Sequence, residues 1–102
     1  MEIEEISKIE ILDNEEMYVI LGSGGKPMYQ HIYREAAEVY WDNEAKGFKA
    51  PAPRKWSYSD WYHQIVSVAA SGLGISLELS SNTKWVNVPS EIKAEICAKQ
   101  NT

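Results

Sequence analysis

Apolar and polar residues alternate from Lys8 to Leu12, with Ile9 and Ile11 on one side and Glu10 between them. That period of two is the signature of a half-buried strand. Turn-forming residues at 13–16 separate it from Met17–Leu21, so the two runs predict an amino-terminal hairpin. The second run is apolar on both faces, Met17, Val19 and Leu21 on one and Tyr18 and Ile20 on the other. Such a strand belongs at the centre of a sheet with both faces covered. Gly22 to Pro27 then breaks regular structure.

The next stretch supports two readings. Tyr29, Ile32, Tyr33, Ala36, Ala37 and Tyr40 recur at helical spacing. From Val39 to Phe48, however, a β-rich arm, a polar loop and Gly47, suited to a left-handed position, look like a hairpin. The hairpin is preferred over about residues 37–50, and 29–36 stays open between helix and strand. Ala50 to Pro53 is an extended connector.

Ser57–Gly72 is the clearest element. Tyr58, Trp61, Tyr62, Ile65, Val66, Ala69 and Leu73 form one apolar face at 100° per residue. Ser57 caps it with Asp60 three residues on, and Gly72 is the expected left-handed stop. Ile75, Leu77 and Leu79 alternate with polar residues as a strand. After a turn at 81–83, Trp85–Val88 returns as a second short strand, halted by Pro89. Ser90 then caps a last helix, from Glu91 to about Lys99, whose apolar stripe is only Ile92 and Ile96. A stripe that thin makes the helix dependent on docking. The predicted fold is α+β in a single domain over 1–102: a mostly antiparallel sheet of about five or six strands with two helices packed on one face.

A length of 102 residues leaves room for one core, and 44% hydrophobic with 25% charged residues is the mix of an ordinary globular chain. One cysteine excludes a disulfide within the chain and any zinc site built on cysteine pairs. The longest apolar run, Met17–Leu21, is too short to cross a membrane, and no secretory leader is predicted. A reduced, cytoplasmic setting is expected. The net charge of −5 is uneven: residues 1–16 hold seven acids against Lys8, a local −6, whereas 46–55 carries Lys46, Lys49, Arg54 and Lys55 with no acid. An acidic chain is a poor partner for nucleic acid. Its acidic end suits docking on a basic partner, through Glu10, Glu15 and Glu16, or a solubilising edge strand.

Chemical motifs are scarce. The loop Gly22–Pro27 has neither the spacing of a Walker loop nor the last glycine of a dinucleotide fingerprint, since Pro27 stands where each needs another residue. It reads as a flexible turn. His31 and His63 are the only histidines, and Asp60 one turn before His63 makes a surface contact on a helix. Cys97 reads as a packing residue. No catalytic residue, metal site or cofactor is assigned.

Aromatic content is the unusual feature, with four Trp and six Tyr. Tyr58, Trp61 and Tyr62 are accounted for by the core face of the helix, and Trp56 staples its entry. The excess exceeds what a core of this size needs, and Trp and Tyr are enriched where protein surfaces meet. Tyr18, Tyr29, Tyr33, Tyr40 and Trp41 are candidates for a second, exposed aromatic surface. The candidate interface or ligand-binding residues are Tyr18, Ile20, Tyr33, Tyr40, Trp41, Trp56 and Tyr58.

The segments Tyr29–Asp42, Lys55–Tyr62, Gly72–Ile75 and Trp85–Pro89 resemble small proteins encoded by mobile integron gene cassettes. The resemblance covers about residues 17–92. It implies a compact, cytoplasmic and often oligomeric protein without assigned function, and it transfers no catalytic residue. The expected function is therefore non-catalytic binding. Self-association comes first, as a C2 dimer through the sheet face opposite the helices, with a further unidentified protein partner. The alternatives are a small-ligand binder with an aromatic cleft at Trp41, Trp56 and Tyr58, or an acidic inhibitor of immunity type.

Overall fold

In the computed structural model, which describes residues 2–34, 36 and 38–100, the first strand is the centre of the sheet. β1 (Glu2–Ile11) pairs antiparallel with β2 (Met17–Leu21), setting Ile9 opposite Val19 and Ile11 opposite Met17. A bulge at Ser7 resets the phase, so Glu4 and Ile6 before it and Ile9 and Ile11 after it all point inward. The strand therefore starts six residues earlier than the alternation at Lys8 predicts. The acidic end is only in part an edge: Lys8–Glu10 are paired on both sides, by β2 and by Lys84–Val86, whereas Glu2–Glu4 pair with Ile75–Glu78 alone. Glu10 and Glu16 contact Lys8 and Lys49, each at 3.4 Å.

The other edge of β1 is filled by β5 (Ile75–Glu78) and β6 (Lys84–Val86), both parallel to it. Glu5 faces Glu78 and Lys8 faces Lys84, so six residues are accommodated along three of β1. Buried Thr83 closes the gap. Its Oγ1 donates to the Ile6 carbonyl at 2.7 Å and accepts from the Ser80 N–H at 3.0 Å. The expected return of Trp85–Val88 is thus corrected: the 81–83 turn bulges outward and the chain resumes its direction. Asn87, with φ 57°, ends the strand.

β3 (Tyr40–Asp42) and β4 (Gly47–Ala50) form the predicted hairpin, and β4 pairs antiparallel with β2. Ala37, where the hairpin was expected to start, lies outside the described residues. The Asp42 carboxylate accepts the N–H groups of Glu44 and Ala45 at 2.9 and 3.1 Å, which folds the loop. Lys46, not Gly47, takes the left-handed position, at φ 61°. Gly47 is needed for a different reason: a Cβ there would lie 2.7 Å from the Val19 carbonyl oxygen of β2. The sheet order is β3-β4-β2-β1-β5, with β6 beside β1; it is mixed and mostly antiparallel.

Pro27–Arg34 is a 3-10 helix, which resolves the open stretch as helical. At three residues per turn, Tyr29 and Ile32 share its buried face and Tyr33 is left exposed. α1 (Tyr58–Val68) has the predicted cap, with the Ser57 hydroxyl and the Asp60 side chain bonding reciprocally to each other's backbone N–H. It does not stop at Gly72. A π-helical turn, Ala69–Leu73, carries Leu73 into the core, and Gly74 provides the left-handed end at φ 69°. α2 (Ser90–Gln100) docks on α1 through fully buried Ile96, with Ile92 half-buried.

The buried side chains form one continuous cluster on the inward face of the sheet. Tyr29, Trp41 and Phe48 pack edge-on within it, at 5.5 Å between Tyr29 and Trp41 and 4.9 Å between Trp41 and Phe48. Trp41 and Tyr29 are therefore core residues and not parts of an exposed aromatic surface. Gly25 roofs Trp41 so closely that a Cβ would meet the indole at 2.4 Å. No described helix is long and apolar enough to cross a membrane.

Candidate functional site

The connector Pro51–Pro53 leaves β4 without pairing and delivers Trp56 to the start of α1. Trp56 precedes the Ser57 cap, so its side chain folds back over the first turn and meets Trp61. The two rings are 4.7 Å apart at their centroids and tilted by 54°. Trp61 is 8% exposed and belongs to the core, whereas Trp56 is 42% exposed. Together with Pro51 and Ala52 they line a cleft of about 600 Å³. Its rim is polar: Glu38, Arg54 and Lys55 surround the opening, and Gln64, one turn beyond Trp61, closes one side. A smaller hollow of about 290 Å³ lies between Trp56 and Asp60, His63 and Gln64. Trp56 and Gln64 thus serve both hollows.

Electrostatics at this end of α1 are simple. The Ser57 backbone N–H and hydroxyl hold the Asp60 carboxyl below the usual carboxylate range. His63 also approaches Ser67, with 3.5 Å between Nε2 and Oγ, while on its other side it adds a smaller favourable charge effect on the Asp60 carboxyl, one turn earlier as expected. Arg54 and Lys55 form no ion pair among the described residues. Glu38 carries a left-handed backbone, at φ 73°, a conformation costly for a side chain other than glycine.

A second grouping occupies the open face of the sheet. Tyr40, Lys49, Tyr18 and Glu10 stand opposite one another on four adjacent strands. The Tyr18 hydroxyl donates to the Asp42 carboxylate. This bond pushes the Tyr18 pKa up to about 12 and, from the other side, lowers that of Asp42. Lys49 Nζ lies 5.0 Å from the Tyr40 ring centre, 5.6 Å from that of Tyr18 and 3.4 Å from Glu16. A hydrogen bond with Tyr40 keeps its ammonium protonated well above the ordinary lysine range. The Tyr18 phenol is held protonated and Lys49 is paired with Glu16, which suits cross-strand cohesion and not nucleophilic chemistry.

The candidates read from the sequence therefore fall in different places. Tyr18, Ile20 and Tyr40 share the open sheet face, where Tyr18 and Ile20 are half-buried and not covered as expected. Trp56 lines the cleft. Tyr58 does not; its hydroxyl donates to the Glu15 carbonyl at 2.7 Å and ties α1 to the β1–β2 turn. Tyr33 is 56% exposed on the 3-10 helix, and Trp41 is buried. Of the three aromatics expected around a cleft, Trp56 alone is there, and Trp61 takes the place of Trp41 and Tyr58. Pro51, Ala52 and Gln64 were not foreseen. The available signals were the rigid proline connector immediately before Trp56 and the three-residue spacing from Trp61 to Gln64. Among the described residues, no group of three His, Cys, Asp or Glu side chains could hold a metal ion.

The sequence pattern of the integron cassette protein Hfx_Cass5 family matches residues 4–83, which include β1 from Glu4 onward, β2 to β5, the whole of α1 and the cleft, and end just before β6. The chain belongs to the Hfx_Cass5 integron cassette protein family. A solved structure described as integron cassette protein Hfx_Cass5, from the mobile metagenome of the North West Arm sewage outfall, is similar to it. The two are 39% identical over 100% of this chain and 99% of that one, with a TM-score of 0.45. Among curated proteins nothing matches the chain. The resemblance seen in segments 29–42, 55–62, 72–75 and 85–89 is thus confirmed for this cassette protein at the level of family, and the family brings no assigned activity with it.

Proposed function

We propose that this cassette protein is a non-catalytic binding protein of the cytoplasm whose binding element is the cleft at Trp56 and Trp61. One observation carries the reading: a half-exposed Trp ring lies against a buried one beside a proline connector, forming a hollow of about 600 Å³. Small-molecule sites typically measure about 300–1,000 Å³ and combine apolar walls with a few polar groups. Melting shifts across a library of small metabolites test it. A ligand should raise the melting temperature of the native chain and leave that of Trp56→Ala unchanged. If no compound shifts the native chain, the reading fails.

A second reading, self-association as a C2 dimer, is favoured by the open face of β2. There Tyr18 and Ile20 are only half-buried, and Tyr40 beside them is 44% exposed. Opposite charges on that face, Lys8, Glu10 and Lys49 among them, permit a self-complementary contact. Light scattering at micromolar concentration should give a dimer mass that Ile20→Glu returns to a monomer. A monomeric mass for the native chain refutes it.

A further inference from the structure

We infer that the cleft takes a planar aromatic carboxylate, an inference that rests on the cleft reading above. The apolar half of the argument is shape. Trp56 turns one ring against Trp61 and leaves 42% of its surface exposed, and Pro51 and Ala52 add apolar lining to the same cleft. A slot with an indole on one side favours a flat ring, because offset stacking adds to the area buried.

The polar half is charge. In a chain of net charge −5, three basic side chains contact acids: Lys8 contacts Glu10, Lys26 contacts Glu2 at 2.5 Å, and Lys49 contacts Glu16. Arg54 and Lys55 are placed differently. They are consecutive, exposed, and unpaired among the described residues, and both stand on the rim of this cleft. Among the described residues that line this cleft Glu38 is the one carboxylate, so they bring one formal positive charge in excess. A cation could use the face of Trp56, but it would meet two like charges for one opposite. An anion reverses that balance, and the guanidinium of Arg54 suits a carboxylate because its fork can make two parallel bonds. The carboxylate pairs with Arg54 and Lys55 and avoids Glu38, with the ring against Trp56. Gln64 adds a neutral amide that can bond either a ring substituent or the carboxylate. Because the rim is exposed, the selectivity is modest and sensitive to salt.

The test uses three probes with one ring system: 2-naphthylacetate, 2-(2-naphthyl)ethanol and 2-(2-naphthyl)ethylamine. Each is titrated into the full chain while the indole N–H resonances of Trp56 and Trp61 are followed by NMR. At low ionic strength the acid should bind about 10-fold more tightly than the amine, with the alcohol between them. In Arg54→Ala/Lys55→Ala, whose melting temperature should be unchanged because both side chains are exposed, the acid should fall to the affinity of the alcohol. Equal binding of all three probes, or tighter binding of the amine, overturns the carboxylate preference and leaves the cleft as a site. If none of the probes shifts either indole, the preference and the cleft reading both fall.

Discussion

Tyr29 donates its hydroxyl to a carboxyl oxygen of Glu4 at 2.5 Å, joining the 3-10 helix to the central strand inside the core. Glu4 is 6% exposed, and Tyr29 is fully buried. Removing one member of such a pair leaves the other buried without a partner, whereas removing both relieves that penalty. Tyr29→Phe should therefore cost about 2–3 kcal/mol, and Tyr29→Phe/Glu4→Leu should be less destabilised than Tyr29→Phe alone. Urea midpoints of the single and double variants decide this. Additive losses would show that the two groups do not depend on each other.

Three tryptophans should separate by burial. Trp61→Ala and Trp41→Ala each remove a large ring from the core and should cost about 3–5 kcal/mol. Trp56→Ala should cost less than about 1 kcal/mol, because its ring is half in solvent and contacts one neighbouring ring. Thermal melts of the three variants check the order. A stable Trp41→Ala protein would contradict the packing around Tyr29 and Phe48.

Two adjacent glycines make a sharper comparison. Gly24 and Gly25 both have positive φ, 83° and 75°, but only Gly25 lies against a neighbour. Gly24→Ala should cost about 1 kcal/mol for the backbone alone. Gly25→Ala adds the collision with Trp41 and should cost about 2–4 kcal/mol. Equal losses would mean that the indole moves aside freely.

Stability should fall on both sides of a broad plateau in pH. The Tyr18 hydroxyl, bonded to Asp42, and the buried hydroxyls of Tyr29 and Tyr62 are all held above the ordinary tyrosine range in the folded chain. Above about pH 10 the unfolded chain releases these protons first, so unfolding becomes easier as pH rises. At the acid end, the depressed Asp42 carboxyl contributes stability that is present above the ordinary carboxylate pKa and is lost as pH falls through its folded value. Melting temperature against pH measures both limbs. Tyr18→Phe should soften the alkaline limb and weaken the acid one, and an unaltered profile would remove the Tyr18–Asp42 bond from the account.

What the sequence made legible was local. α1 could be read because its apolar face repeats at the helical period and its cap lies within four residues. The hairpins β1–β2 and β3–β4 could be read because each is closed by a polar turn. Other features depended on distant partners. The Ser7 bulge breaks the alternation between Ile6 and Ile9, so the first half of β1 was hidden from a period-two reading. The parallel course of β6 depends on Thr83 reaching Ile6, 77 residues away. Trp41 and Tyr40 look alike in sequence as adjacent aromatics, yet in a strand they point to opposite faces, and pairing of Trp41 with Phe48 decides which is buried. The cleft was half legible. Trp56 could be singled out as an aromatic outside the helix, but its partner Trp61 was fully accounted for as core.

The position of β1 also has a consequence in time. It is made before β5 and β6, yet one edge can be completed only when they exist, some 75 residues later. At about 5–20 residues per second of synthesis, its backbone groups on that side wait roughly 4–15 s for partners. The acids that crowd the start of the strand, Glu2, Glu4 and Glu5, give nascent chains a like charge during this interval. That charge opposes edge-to-edge pairing between neighbouring copies until the last strands arrive.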